Sequence, residues 1–154
     1  MTHEQRSTVI KAAKEWLRTP YHHHSRVKGA GADCAMFPLA VYQECGLITQ
    51  AFQPPEYSAQ WHLHRSAELY LQAISSFTRE IEGPPQPADF VIFRFGRTFS
   101  HGAIVIDWPL IIHSYIPHGV VLSDAVRDGE LIGRDKKFFE IIDHREHREA
   151  QRSF

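Results

Sequence analysis

The chain has 154 residues, 43% of them hydrophobic and 23% charged, which suits one compact domain with a single core. Seventeen basic and eighteen acidic side chains leave a formal net charge of -1, which excludes a general electrostatic attraction to nucleic acid or to an anionic membrane. No stretch reaches about 18 consecutive apolar residues, and the opening MTHEQRSTVIKAAKEW has no basic lead followed by an apolar run, so neither a membrane span nor a secretion signal is expected.

From Glu4 to Arg18, Val9, Ala12, Ala13, Trp16 and Leu17 recur at helical spacing, and Thr19-Pro20 stops the pattern. Tyr21 to Ala32, YHHHSRVKGAGA, has no sustained period and reads as a loop. Asp33 is a good N-cap for a second helix, CAMFPLAVYQEC, which Gly46 ends; Cys34 then falls in its first turn. Pro38 interrupts that helix, because past the first turn a proline deletes a backbone hydrogen bond. Thr49 to His62 is loop-like, and Arg65 to Phe77 places Leu69, Leu71, Ile74 and Phe77 on a third helix.

After EGPPQPAD the character changes. DFVIFRF, SHGAIVID, PLIIHSYI, GVVLSD and KKFFEIID are short, rich in β-branched and aromatic residues, and separated by Gly, Pro and Asp. Helices first and strands afterwards is the α+β pattern of a helical layer on an antiparallel meander. The expected organisation is one domain over 1–154, with a polar tail from about residue 143, DHREHREAQRSF.

Cys34 and Cys45 lie eleven helical steps apart, roughly 16 Å, so they cannot pair, and the chain reads as made in a reducing compartment. Cys45 continues the apolar pattern and reads as core. Cys34 differs: a thiol at a helix start sits at the positive end of the helix dipole, which favours thiolate, and the neighbouring N–H groups can hold an oxyanion.

A base for that thiol is found in SHGAIVIDWPLIIHS, Ser100 to Ser114, read as a hairpin turning around Asp107, Trp108 and Pro109. Facing residues then sum to about 214 to 216, which puts His101 opposite or nearly opposite His113 on one face. A one-residue slip would separate them onto different faces. Cys34 as nucleophile, His101 as general base and His113 as the group orienting it fit the three roles of cysteine-dependent acyl transfer.

In TPYHHHSRVKGAGADCAMF, PADFVIFRF, and SHGAIVID followed by IIHS, the sequence resembles the NlpC family of papain-like cysteine peptidases, which cleave peptides of the bacterial cell wall. The resemblance runs with gaps from about Thr19 to Ser114. It implies a papain-like NlpC-type fold, with Cys34, His101 and His113 as nucleophile, base and orienting residue. It also implies an oxyanion role for Tyr21, or for His22 one position later, and a share for Asp33 in binding a substrate amine beside its capping role. The implied substrate is the peptidoglycan stem peptide, at the bond between D-glutamate and the diamino acid, and the chemistry calls for no metal or organic cofactor.

The forms PYHH and VKGAGADC look closest to the peptidases of phage tails and gene transfer agents. They imply a chain made in the bacterial cytoplasm, assembled with other tail-tip proteins, and acting at the next cell's wall in the periplasm. Ala35, Met36 and Pro38 depart from the family pattern, in which a serine and a small or apolar residue often follow the nucleophile. They leave open a reading from another class, a tail-tip structural or assembly subunit with the same fold and little or no hydrolytic activity. Amidase or acyl-transfer chemistry by the same three residues is a third reading.

Other histidines carry less. Three consecutive side chains, His22 to His24, diverge and rarely converge on one ion, so a zinc site is not expected there; His22 or His23 is a candidate to line the cleft beside Cys34. His144 and His147 read as solvated, Trp61, His62 and His64 as surface packing or a cleft wall, and Trp108 as a cover for the sheet end or a partner contact.

Overall fold

A computed structural model describes residues 1–54 and 66–142, with the side chains of residues 66–69 left aside. Trp61, His62, His64, His144, His147 and the polar tail therefore lie outside the described residues.

Helix α1, His3–Lys14, opens with a reciprocal cap: the Gln5 N–H donates to Thr2 Oγ1 at 3.0 Å, and the Thr2 N–H donates to Gln5 Oε1 at 2.7 Å. It stops a turn earlier than the apolar spacing predicts. The chain leaves the helix so that Trp16 can pack edge-on against Phe37, and Arg18 and Thr19 then pair with a strand through Arg18 N–H to Val120 O and Val120 N–H to Thr19 O. Backbone pairing wins there over helical periodicity. Gly119 makes this approach possible, since a Cβ at that position would lie 2.2 Å from the Thr19 carbonyl oxygen.

The segment expected as loop carries a small hairpin, β1 Arg26–Val27 with β2 Gly31–Ala32. Helix α2, Met36–Glu44, follows, and then α3, Ser66–Ile74, which continues as a single 3-10 turn over Ser75–Phe77. Among the described residues the main sheet has six strands, β3 Thr78–Ile81, β4 Phe90–Phe95, β5 Thr98–Asp107, β6 Leu110–Tyr115, β7 Gly119–Asp124 and β8 Lys136–Ile141. All pairings between them are antiparallel.

The architecture is α+β, helices on an antiparallel sheet, but the sheet is not a plain meander. Its order is β3-β8-β4-β5-β6-β7: β4 to β7 follow in sequence, while β8 returns to lie between β4 and β3. β3 itself, TREI, is too polar and short to stand out in the sequence, and becomes a strand because β8 offers it a partner.

One face of the sheet supports the larger core, in which Val9, Trp16, Phe37, Leu39 and Tyr42 of the helical layer meet Phe90, Ile92, Ile104 and Ile112. Residues of the opposite face, including Val91, Phe93, Val105 and Ile111, are covered by Ala125 and Leu131 from the connection before β8. A buried ion pair joins the layers: Arg6 of α1 donates to Asp89 Oδ1 at 2.8 Å, with Asp89 only 1% exposed. Trp108, at the β5–β6 turn, packs edge-on against Phe138 at 4.8 Å and so covers the sheet end.

Candidate active site

Asp33 builds the start of α2. Its Oδ1 accepts the N–H groups of Ala35 at 3.1 Å and Met36 at 2.8 Å, and its carbonyl accepts from Phe37 N–H at 3.0 Å. Those bonds cap the turn that leads into α2, whose regular helix begins only at Met36, so Cys34 lies in that turn two residues ahead of the helix and not in its first turn as the sequence suggests. Asp33 Oδ2 also accepts from the His24 N–H at 2.7 Å, which ties the histidine-rich loop to the helix start. Pro38 falls four residues after Cys34, where it supplies no N–H for the Cys34 carbonyl, and that carbonyl instead meets the sheet: a Cβ on Gly102 would lie 3.2 Å from it. Only a glycine next to His101 allows the helix start to sit this close to β5.

Tyr21 is held beside Cys34 by backbone pairing. Ala32 bridges to Tyr21, its N–H donates to the Pro20 carbonyl at 3.0 Å, and its own carbonyl accepts from Ser114 Oγ at 2.7 Å. The Tyr21 hydroxyl lies close enough to Cys34 to interact with both its side chain and its backbone. Burial, with the nearby Cys34 and Asp33, pushes the phenol well above its ordinary pKa, so it remains a donor at neutral pH. His22 faces elsewhere: it is exposed and lies against Gly31. Of the two neighbours, Tyr21 is the one brought to the cysteine.

The Cys34 thiol donates to the carbonyl oxygen of Ser100 at 3.7 Å. Ser100 is where β5 bulges, because Phe93 pairs with His101 and Arg94 with Phe99, leaving Ser100 unmatched. The bulge turns its carbonyl to the sulfur immediately before His101 in the chain.

His101 and His113 meet: His101 Nε2 and His113 Nδ1 are 2.7 Å apart in one hydrogen bond. The β5–β6 register pairs Ile104 with Ile112 and Val105 with Ile111, a sum of 216. Continued along the hairpin, it places Tyr115 across from His101 and His113 two positions along, on the same face. Of the two placements expected, opposite or nearly opposite, the structure has the second, a diagonal, and two imidazoles on a diagonal span the wider gap ring to ring. Phe93, Phe95 and Tyr115 surround His101 with ring centroids 6.2, 5.3 and 5.6 Å away, and Tyr115 stacks on His113.

The pair is buried, His101 at 7% and His113 at 1% exposure. Burial, reinforced by His113 and Arg134, holds His101 well below the usual histidine range. Burial lowers His113 to about 4, with Asp128 pulling it up and His118 pushing it down. Both rings are thus neutral at pH 7, the state in which one nitrogen of each can accept a proton. Since Nε2 of His101 is engaged with His113, Nδ1 is the nitrogen left to take a proton from a thiol.

Ser123 of β7 is the site residue that sequence reasoning missed. Its Oγ lies 2.8 Å from His113 Nε2. A signal existed: β6 pairs with β7 so that His113 faces Val121, which puts Ser123 on the same face two positions along. Cys45, by contrast, is half-buried against the core, and burial raises its thiol to about 11. Among the described residues no group of three or more His, Cys, Asp or Glu side chains is arranged to hold a metal ion, and no helix is long and apolar enough to cross a membrane.

No family model and no curated protein sequence matches the chain. Solved structures do. The NlpC/p60 domain of the peptidoglycan hydrolase SagA superposes with a TM-score of 0.57 at 15% identity, over 86% of this chain and 96% of that one. NlpC2 from Trichomonas vaginalis gives a TM-score of 0.63 at 13% identity, over 92% of this chain and 48% of that one. An NLP/P60 family protein from Staphylococcus aureus, described as similar to a lipoprotein, gives 0.62 at 18% identity, over 92% of this chain and 43% of that one. The chain thus has the NlpC/p60, papain-like fold, matches nearly the whole SagA domain, and spans less than half of the two longer proteins.

Proposed function

We propose that this protein is a cysteine peptidase that hydrolyses amide bonds of peptidoglycan stem peptides. One observation carries the reading: a cysteine at a capped helix start rests against the residue preceding a buried, hydrogen-bonded histidine pair. The fold shared with NlpC/p60 structures, one of them a domain of a peptidoglycan hydrolase, supports the substrate class.

In this mechanism the Cys34 thiol turns from the Ser100 carbonyl toward His101 and gives its proton to Nδ1 as sulfur bonds to the amide carbon. The developing oxyanion takes hydrogen bonds from the Cys34 N–H and from the Tyr21 hydroxyl, which lies beside Cys34. The C–N bond then breaks and the His101 imidazolium protonates the leaving amine. Water, deprotonated by His101, attacks the thioester, releasing the acid and restoring the thiol. His113 holds the His101 ring through the 2.7 Å bond. Asp33 is committed to three backbone N–H groups, so its main part is to hold the helix start.

The finer assignment is a peptidase carried in a phage-like tail, made in the bacterial cytoplasm and acting at the wall of the next cell, on the bond between D-glutamate and the diamino acid. Its support is the sequence forms PYHH and VKGAGADC.

Digestion of purified Gram-negative peptidoglycan, with soluble fragments identified by mass spectrometry, tests the reading. Wild type is expected to release peptide fragments whose masses name the bond, and Cys34→Ala to release none. Release by folded Cys34→Ala would remove Cys34 as the nucleophile and sink the cysteine-peptidase reading, and release by neither folded protein would leave a tail-tip structural subunit in its place.

A further inference from the structure

The His101–His113 bond leaves a question of protons. Both rings are neutral and buried, so each carries one N–H, and the shared bond can run in either direction. If His101 Nε2–H donates to His113 Nδ1, Nδ1 of His101 holds a lone pair and can take a proton from Cys34. With the bond reversed, His101 presents an N–H to the thiol and cannot act as a base. Something beyond the pair has to select the productive arrangement.

The selecting contact is on the far side of His113. In the productive arrangement His113 carries its proton on Nε2, and that N–H needs an acceptor; Ser123 Oγ is 2.8 Å away. A serine hydroxyl can accept there or donate, and its surroundings decide which. Ser123 opens onto a cavity of about 210 Å³ that is also lined by Tyr115, His118, Asp128 and Glu130. Glu130 accepts the Tyr115 hydroxyl at 2.7 Å, and Asp128 accepts the Asp124 N–H at 2.6 Å. Two carboxylates on that side favour a hydroxyl hydrogen turned into the cavity, which leaves the Ser123 lone pairs facing His113.

We propose that Ser123 is a positioning residue: by accepting the Nε2–H of His113 it fixes the tautomer of His113, and through it the tautomer in which His101 can serve as base. The chain Ser123, His113, His101 carries one consistent direction of hydrogen bonding from the cavity to the thiol. This rests on the peptidase reading above for its consequence, but the tautomers are observable without any substrate.

Ser123→Ala and Ser123→Thr test it, with nitrogen-15 NMR of the imidazoles beside steady-state kinetics on a soluble stem peptide. Wild type should show His113 and His101 both protonated on Nε2. Ser123→Ala should populate the other tautomer at both rings and lower kcat by about 10- to 100-fold with KM little changed. Ser123→Thr, which keeps the hydroxyl, should restore both readouts. Unchanged tautomers in folded Ser123→Ala, or a wild type whose His113 is protonated on Nδ1, would overturn the proposal. If the tautomers shift as stated while Cys34→Ala still hydrolyses, the peptidase reading falls and the positioning role of Ser123 stands.

Discussion

Burying two neutral imidazoles makes stability depend on pH in a way that one substitution isolates. His113 titrates at about 4 in the folded protein against an ordinary 6.5, so between those values the unfolded chain binds the extra proton and folding weakens as pH falls. The contribution is nil above about pH 7, and amounts to a loss of about 2 kcal/mol at pH 5 and about 3 kcal/mol at pH 4. His101 acts in the same direction, because burial lowers it too. The lowered carboxylates Glu44 and Glu140 also lose stability in acid, but only as pH falls through their own range below about 4.5. His113→Gln keeps an amide that can accept from His101 and removes the titrating ring. Urea unfolding of both proteins at pH 7.5 and pH 5 gives the test. The mutant is expected to be the less stable at pH 7.5, with the gap narrowing by about 2 kcal/mol at pH 5. A gap that stays constant would mean that His113 is not buried as a neutral ring, and the argument from its desolvation would fail.

Other outcomes follow from single contacts. Tyr21→Phe removes one oxyanion donor without touching the core and should lower kcat roughly 100- to 1,000-fold while leaving the unfolding midpoint nearly in place. Gly102→Ala puts a methyl group 2.9 Å from the Phe90 ring and 3.2 Å from the Cys34 carbonyl. It should cost about 1 to 3 kcal/mol by chemical denaturation and reduce hydrolysis further than that loss explains, since the group displaced is the nucleophile's own backbone. Asp33→Ala deprives three backbone N–H groups of their acceptor and should cost at least about 2 kcal/mol, whereas Asp33→Asn keeps an oxygen and should recover about half. Thermal unfolding of the two variants side by side separates cap from charge.

Much of the arrangement was legible because it depends on short-range rules. The Asp-Cys pair announces a helix start whatever else the chain does, and the order of helical and β-rich segments gives α+β directly. The WP turn lies where the hairpin centre was expected, and the observed sum of 216 is the upper end of the expected range, so His101 and His113 share a face on a diagonal. What was illegible depends on distant partners. β8 inserts between β3 and β4 from the far end of the chain, and TREI is a strand only in its company. The bulge at Ser100 follows from how β4 and β5 pair, which no local pattern in SHG encodes. Ser123 needed the β6–β7 register, which the sequence leaves open around the YIPHG turn. Pro38 reads as a defect in the helix alone, yet the carbonyl it leaves without a helical donor is the one packed over Gly102.

The most direct test of the account is site-resolved alkylation of Cys34 by a stem-peptide chloromethyl ketone, followed by intact and peptide mass spectrometry. Wild type should be labelled at Cys34 and not at Cys45, more slowly when free stem peptide competes, and at least about 100 times more slowly when His101→Ala removes the base. Equal labelling of Cys34 in wild type and folded His101→Ala, unaffected by competing peptide, would contradict the claim that this cysteine and this histidine work together on a cell-wall peptide.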